Sequence, residues 1–342
     1  IDFYNALQSR IHMIEFMKSN RTYSDFLEIS DIAEKMKAKM IENIESTKWL
    51  HGDEIGDFIR EKTKERIASI QIYHDFDEHD QNMTYISKVN HDFNELYFSN
   101  QRKSGILALD TLLGLRYAFK EIEKRTKNTT EGIFVERIRQ NFVFNAFFEL
   151  ISTTVTILAP LMHRESFTSE ILKEPFITYS ILGHELYHSL FPSTSPILST
   201  LFTDRGKCVI KHYEQSCSKF AMGACKSGNQ TFNEDSPDLE SFRLLHSILR
   251  EKYIDRELNE KIEGMETTLE QAFFYYTASA TCEADENRTD ERAKKDSHSA
   301  WNIRINAAFS FMPEFSKAFG CKEGDQMFIK EEQSCYVFGP NS

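Results

Sequence analysis

Two histidines four positions apart give the chain its most informative motif, because the segment 183–188 reads GHELYH and contains the pattern HExxH. On an α-helix, residues i and i+4 lie one above the other, so His184 and His188 can reach one tetrahedral metal ion. Glu185 then points to the side of both rings, where it can hydrogen-bond to a water molecule instead of the metal. Zinc activates such a water by lowering its pKa, and a carboxylate can remove the proton during attack on a peptide carbonyl. The motif therefore predicts a zinc hydrolase site with Glu185 as general base.

A catalytic zinc needs a third protein ligand and an open coordination position. The candidate ligand is Glu234 in the segment 231–238, which reads TFNEDSPD. On a helix Glu234 and Asp238 share a face, so Glu234 can bind the metal while Asp238 accepts the free N–H of a ligand histidine. A carboxylate in that position orients the imidazole and raises its basicity. Two simpler interpretations stay open: HExxH can arise by chance in an ordinary helix, and the acidic pair can be a plain helix start.

The elements that must position these residues are mostly helical. Apolar residues recur at helical spacing before the two histidines, which continue the stripe of Ile177 and Ile181. The same periodicity predicts further helices over 239–253, 302–320 and most of 1–122. The segment 152–160 is rich in β-branched residues and ends in proline, which predicts a short strand. The fold class expected is mainly α with a small β component.

A polar run at 124–132, KRTKNTTEG, interrupts the helical periodicity. It predicts a boundary between a helical segment, 1–122, and a catalytic domain, 123–342.

Composition narrows the class of partner. The chain has 342 residues, of which 40% are hydrophobic and 27% charged, the balance of a folded globular protein. Its formal charge of −12 argues against nucleic acid as a partner, because phosphate binding needs clustered positive charge. No segment approaches the roughly 20 apolar residues of a membrane helix. The first residues do not read as a signal peptide, so we expect either a cytosolic chain or a mature or truncated piece of a longer one.

Cysteines and glycosylation sequons both favour a secretory route. The chain has six cysteines, all after residue 200: Cys208, Cys217, Cys225, Cys282, Cys321 and Cys335. None forms a C-x-x-C pair, which argues against a structural zinc ribbon, whereas an even number suits disulfides. Five N-x-S/T sequons begin at Asn20, Asn82, Asn128, Asn229 and Asn287.

Four separated motifs occur in one order: NAFF at 145–148, GHELYH at 183–188, TFNEDSPD at 231–238 and DSHSAWNIR at 296–304. Together they resemble the neprilysin and endothelin-converting-enzyme family of zinc metallopeptidases. The resemblance covers nearly the whole chain but only the later half of the family's ectodomain. It implies a thermolysin-like (zincin) catalytic domain, part of a helical cap domain and one Zn²⁺ per chain. Full-length members of the family are membrane-anchored, so we expect an extracellular protein, either secreted or on the outer face of the plasma membrane.

The resemblance also implies roles for four further residues. Asn145 and the backbone of Ala146 would hold the substrate main chain like an added strand against 152–160. His298 would donate to the developing oxyanion, and Arg304 would bind a substrate carbonyl or carboxylate.

For the cysteines, the resemblance implies a Cys208–Cys335 disulfide. Cys282 and Cys321 match cysteines whose partners lie outside this chain in the family, so they could pair with each other or with another segment. Cys217 and Cys225 are close enough in sequence to pair locally.

Several positions depart from the family pattern. HGFD becomes HSLF at 188–191, which removes a carboxylate, and the two glycines after Asp238 become Glu240 and Ser241. Pro237 lies in the helix predicted to carry Glu234, close to a first turn where proline is tolerated.

The leading hypothesis is a zinc endopeptidase acting on small extracellular peptides, with a preference for an apolar residue after the scissile bond that the family resemblance implies. The alternative is a catalytically weak or inactive homologue that binds peptides or proteins. A third interpretation is a cytosolic helical scaffold with a coincidental HExxH, whose mark would be reduced cysteines. The oligomeric state is not predicted.

Overall fold

The computed structural model describes residues 22–74, 83–99, 145–158, 161, 176–191, 203–220, 225–279, 295–342 and parts of 110–121. The described chain is mostly helical with one small sheet, which confirms the predicted fold class. Its helices are α1 (Thr22–Glu45), α2 (Glu54–Ser69), α3 (Met83–Ser99), α4 (Phe176–Tyr187), α5 (Thr203–Phe220), α6 (Gly228–Lys252), α7 (Asp255–Asn259), α8 (Leu269–Ser279), α9 (Trp301–Ser310) and α10 (Pro313–Phe319). Short 3₁₀ helices occupy Lys48–Leu50 and Glu331–Gln333.

The sheet consists of β1 (Gln71–His74), β2 (Ala146–Glu149) and β3 (Thr154–Ile157), in the order β1–β3–β2. Strand β3 confirms the prediction for 152–160 in its central part. Every residue of β3 is buried, as suits its β-branched sequence TVTI. Strand β2 lies at one edge of the sheet. Strand β1 falls within 1–122, where the sequence predicted helices alone.

The chain divides into two compact units. The smaller unit contains the described parts of 1–28, 73–146 and 156–163, and the larger one contains those of 29–72, 147–155 and 164–342. In the smaller unit, the Leu158 amide donates to the Asn145 carbonyl at 3.1 Å. The run 124–132 lies outside the described residues, so the boundary between 122 and 123 stays a prediction.

Helices α4 and α6 pack together in the core of the larger unit. Gly183 permits their close approach, since a Cβ at this position would lie 2.4 Å from Ser241 Oγ. Ser241 Oγ in turn donates to the Ser180 carbonyl at 2.9 Å. The described part of α4 is almost entirely buried, which its apolar sequence permits on all sides. A helix fixed in this way gives the metal-binding motif a rigid support.

Two helices differ from the sequence prediction. Helix α6 begins at Gly228 and not near 239, so Pro237 lies in its interior and not in its first turn. Residues 228–238 lack an apolar stripe, yet Thr231 and 235–238 are buried, so tertiary packing holds them helical. The helix predicted over 302–320 is divided in two, because Pro313 begins a new helix at its first position.

The segment 334–342 is fastened to distant parts of the larger unit. Cys335 forms a disulfide with Cys208 on α5, as predicted. The Trp49 indole donates to the Val337 carbonyl at 2.8 Å, and the Gly339 amide donates to the Asn43 carbonyl at 3.1 Å.

The predicted local pair Cys217–Cys225 also forms a disulfide. Cys321 is a free thiol, and Cys282 lies outside the described residues. A cytosolic scaffold with a coincidental HExxH would have reduced cysteines, so the two disulfides argue against that interpretation. Among the helices of the described residues, none combines the length and the apolar character that crossing a bilayer requires.

Candidate metal centre

Helix α4 presents the two histidines of the motif side by side. His184 lies in its last turn, and the His188 amide, just beyond the helix, still donates to the His184 carbonyl at 3.2 Å. This continues the i to i−4 spacing, so the two rings meet edge to face with centroids 4.6 Å apart. From α6, Glu234 Oε2 reaches within 3.2 Å of His184 Nε2 and 3.3 Å of His188 Nε2. One donor atom of each residue lies within 4.8 Å of the others.

The donor set fits zinc. Two imidazole nitrogens and one carboxylate oxygen are the protein ligands of a common class of catalytic zinc site. Glu234 Oε2 is buried, and its contacts with the imidazoles lack hydrogen-bond geometry. Burial raises the pKa of Glu234, but the surrounding imidazoles outweigh it and hold the pKa well below its usual range. A buried, ionised oxygen aimed at two imidazole nitrogens without hydrogen bonds is what a cation would satisfy.

Asp238 lies behind His184 and joins it to Arg304. Asp238 Oδ1 is 2.7 Å from His184 Nδ1, which leaves Nε2 facing Glu234. The Arg304 guanidinium donates to both oxygens of Asp238 through Nε and Nη2. Burial raises the pKa of Asp238, but Arg304 and His184 outweigh it and lower the pKa below its ordinary value. The outer face of the guanidinium lies 4.3 Å from the centre of the Trp301 ring.

Glu185 is buried beside the histidines and is held by a strand. Its Oε2 accepts a hydrogen bond of 2.8 Å from the backbone amide of Phe148 on β2. Burial raises the pKa of Glu185 above its ordinary value. A carboxylate with a raised pKa is better suited to accept a proton near neutral pH. The sequence did not point to the Phe148 amide, because a backbone donor has no side-chain signature.

His298 reaches the same group of residues from the loop before α9. Its Nε2 lies 3.1 Å from Glu234 Oε2, and its Nδ1 lies 2.7 Å from Asp296 Oδ1. The neighbouring Glu234 carboxylate raises the pKa of His298. The side chain is 41% exposed, so it faces both the metal group and solvent.

The residues predicted to bind substrate have different surroundings. Asn145 is exposed directly before β2, and Ala146 is fully buried at its first position. Arg304 is only 6% exposed and uses its guanidinium on Asp238. Their roles towards a substrate stay predictions. Six of the nine predicted site residues are joined in one polar network by the contacts above, and Glu185 is buried beside the histidines of that network, whereas Asn145 and Ala146 are not part of it.

Similarity to known proteins extends over this whole region. The model of peptidase family M13 matches residues 145–335. Among solved structures, the chain is similar to PepO from Lactobacillus rhamnosis HN001 (DR20), with a TM-score of 0.63 at 14% identity over 94% of this chain and 49% of that one. It is also similar to a galactose-containing glycoprotein complex of Haemonchus, with a TM-score of 0.59 at 17% identity over 89% of this chain and 49% of that one.

A third similar structure is the zinc metalloprotease Zmp1 of Mycobacterium tuberculosis in complex with an inhibitor, with a TM-score of 0.59 at 13% identity. That match covers 92% of this chain and 47% of Zmp1, so the chain spans about half the length of these structures. These likenesses support a thermolysin-like catalytic fold. Because the family match covers more than half of the chain and includes every residue of the metal group, the chain belongs to peptidase family M13, the neprilysin family of zinc metallopeptidases.

Proposed function

We propose that this chain is a zinc-dependent endopeptidase that hydrolyses small extracellular peptides, with Glu185 as general base. The observation that carries the proposal is the convergence of His184, His188 and Glu234 beside a buried Glu185. A site that held zinc for structure alone would have no need of a buried carboxylate next to its ligands. Membership in family M13 supports the hydrolase class.

His184, His188 and Glu234 would hold one zinc ion per chain. When bound, zinc supplies a Lewis acid that polarises a peptide carbonyl and brings the pKa of water towards neutrality. Asp238 keeps His184 in the tautomer whose Nε2 is free to act as a ligand. Its own orientation is fixed by Arg304, which donates to both of its oxygens.

Glu185 accepts the proton of the attacking water and afterwards delivers it to the leaving amine. The Phe148 amide keeps one of its oxygens in place, so the other is available for the proton. His298 Nε2–H donates to the carbonyl oxygen as it gains negative charge, and Asp296 holds the ring from its other nitrogen. Because β3 is paired on both sides within the sheet, a substrate strand cannot be added against 152–160 as the resemblance implied. The substrate main chain would instead lie along the edge strand β2, with Asn145 and Ala146 at its start.

Two further features support an extracellular location. Disulfides persist in oxidising compartments, and the described residues contain two. The sequon at Asn229 begins with an exposed side chain, which suits N-glycosylation in the secretory pathway. The substrates would accordingly be peptides found outside the cell.

A second candidate function is peptide binding without efficient cleavage. Family members have a carboxylate where this chain has Phe191, whose ring packs edge to face against Phe232 and Phe338 with centroid distances of 5.9 and 5.8 Å. The position is therefore part of the apolar core, and no carboxylate just beyond His188 supports the metal group.

The two candidates are separated by zinc content together with cleavage of a short fluorogenic peptide. We expect about one zinc per chain, and Glu185→Gln should keep the zinc while lowering kcat by about 10²- to 10⁴-fold. Glutamine retains an oxygen that can accept from the Phe148 amide, so it is a matched control for folding. Bound zinc with turnover that does not depend on Glu185 would favour the binding function instead.

A further inference from the structure

The loop that carries His298 is held by Lys226, which lies just before α6, and by Gln230 in the first turn of α6. Lys226 Nζ donates to the carbonyl of His298 and, at 3.2 Å, to that of Asp296. Gln230 Nε2 donates to the same Asp296 carbonyl at 3.0 Å. Three hydrogen bonds thus join the start of the helix that carries Glu234 to the backbone on both sides of Ser297.

Lys226 is itself fixed on both sides. Cys225, directly before it, is bonded to Cys217 on α5. Two residues after it, the Gly228 amide donates to Glu214 Oε1 at 3.0 Å. A Cβ at Gly228 would lie 2.7 Å from Ile210 Cγ2, so this backbone is packed tightly against α5. The ammonium group therefore extends from a rigid base.

The loop has other attachments too, among them the approach of His298 Nε2 to Glu234 Oε2 at 3.1 Å. Asp296 Oδ1 contacts both the amide and Nδ1 of His298, but these contacts are internal to the loop. Towards α6, Ser297 Oγ lies 3.4 Å from Glu234 Oε1, and Ser299 Oγ donates to Asp235 Oδ2 at 3.0 Å. A charged ammonium forms stronger hydrogen bonds than a neutral hydroxyl or amide. The contacts of Lys226 and Gln230 hold the loop backbone itself, whereas the serine contacts hold side chains, and Lys226 supplies the charged donor to the carbonyls at 296 and 298.

We propose that Lys226 is a positioning residue for His298: by holding the carbonyls at 296 and 298, it keeps His298 Nε2 beside the metal-ligand group. The inference rests on the proposed peptidase function only for its kinetic consequence. Its structural part, an ordered loop at 295–300, can be tested in a protein that cleaves nothing.

The test compares Lys226→Met, Lys226→Arg and a matched control, Lys211→Met, in the zinc-loaded full chain. Lys211 is an exposed lysine on α5 and lies away from the loop in sequence. Amide hydrogen exchange is measured in 295–300 and in the core of α6. Lys226→Met should raise exchange in the loop by about 10-fold and leave α6 unchanged. Lys226→Arg should restore most of the protection, because it keeps a charged donor.

With a fluorogenic peptide, Lys226→Met should lower kcat by about 10-fold while KM changes less than about 2-fold, since His298 acts on charge that develops in the transition state. Removing the other anchor with Cys217→Ser/Cys225→Ser should raise exchange in the same loop. Unchanged loop exchange in Lys226→Met would overturn the proposal. Equal increases in the loop and in α6 would also overturn it, since they indicate a purely structural role. If the wild type cleaves no peptide, the proposed function fails, and the exchange data still decide the role of Lys226.

Discussion

Asp238 is the residue at which three helices meet. It lies on α6, contacts His184 of α4 through one oxygen and receives Arg304 of α9 on both. All three side chains are less than a tenth exposed. Removal of one partner from a buried charge network leaves the others uncompensated, which is strongly unfavourable. The charge on Asp238 should therefore matter to the metal affinity as well as to folding.

Asp238→Asn is expected to weaken zinc binding by about 10- to 100-fold. Asparagine is neutral, so it accepts the His184 N–H more weakly than a carboxylate does and leaves the positive charge of Arg304 unbalanced. Competition with a chromogenic chelator measures the affinity. Asp204→Asn on the exposed surface of α5 is the control and should bind zinc like the wild type. Equal affinities for both variants would show that Asp238 does not support the ligand.

His212 is a partly buried histidine that the proposed mechanism does not use. Its ring stacks on Phe311 with centroids 3.7 Å apart, and its Nε2 lies 2.8 Å from the Ala307 carbonyl. Burial lowers the pKa of His212 to about 4, although the bond to Ala307 opposes this. The unfolded chain, with a pKa near its ordinary 6.5, binds more protons between these values. The free energy of unfolding should therefore fall as the pH decreases from about 6.5 to about 4.

This group alone should contribute up to about 3 kcal/mol of that fall. In His212→Gln the contribution disappears, so the difference in unfolding free energy between wild type and variant should shrink between pH 7 and pH 4.5. Urea denaturation at a series of pH values measures it. Parallel curves for the two proteins would mean that His212 titrates alike in the folded and unfolded states.

Part of the site could be predicted from individual residues, because the motifs that mark them are local in sequence. HExxH and the pair Glu234 and Asp238 follow helical spacing, so their side chains could be assigned to common faces. The groups that hold these side chains in place could not be found in the same way. The Phe148 amide meets Glu185 across 37 residues, and Lys226 meets the His298 carbonyl across 72. Backbone groups are the same at every position, so only the folded chain shows which of them are used.

Among the elements, the contact between α4 and α6 determines how closely the proposed metal ligands approach one another. Gly183 precedes His184 directly, and Ser241 occupies the space that a side chain at 183 would need. We expect Gly183→Ala to lower the free energy of unfolding by about 1–3 kcal/mol, because overpacking outweighs the better helix propensity of alanine.

Ser241→Ala removes the clashing oxygen, so Gly183→Ala/Ser241→Ala should be more stable than the sum of the single changes by about 1 kcal/mol or more. Urea denaturation of the wild type, the two single variants and the double variant measures the four free energies of unfolding that this comparison needs. Strictly additive effects would mean that the two helices are not in close contact at this point.

Elements with an apolar period were predictable, and those stabilised by their surroundings were not. Helix α4 was found from its stripe, whereas the first eleven residues of α6 are mostly polar and become helical through burial. Strand β1 is four residues long and depends on pairing with β3, a partner about 80 residues away in sequence. The division at Pro313 could have been read from the sequence, since proline seldom continues a helix.

At the scale of the whole molecule, the Cys208–Cys335 disulfide closes a loop across 127 residues that includes Glu234 and His298. Cross-links over long loops restrict the unfolded chain strongly. Cys208→Ser/Cys335→Ser should therefore lower the free energy of unfolding by about 2–5 kcal/mol. Cys321→Ser is the matched control, since Cys321 is a free thiol. A thermal melt that is equal for both variants would show that the cross-link adds little.

The general fold was accessible from the sequence, but the long-range contacts within the larger unit were not. The predicted boundary relied on a polar run near 124–132. In the structure, the described residues 29–72 belong to the same compact unit as the metal group. The contacts responsible, such as Trp49 with Val337, span 288 residues and leave no periodic trace in the sequence.

The stacking of Trp301 on Arg304 has a practical consequence. The chain has two tryptophans, and Trp301 is 36% exposed while its ring adjoins the guanidinium that pairs with Asp238. In a Trp49→Phe background, indole fluorescence would come from this one position beside the helices that carry the candidate metal site. Ligand occupancy could then be titrated optically, without a label and whether or not any bond is broken.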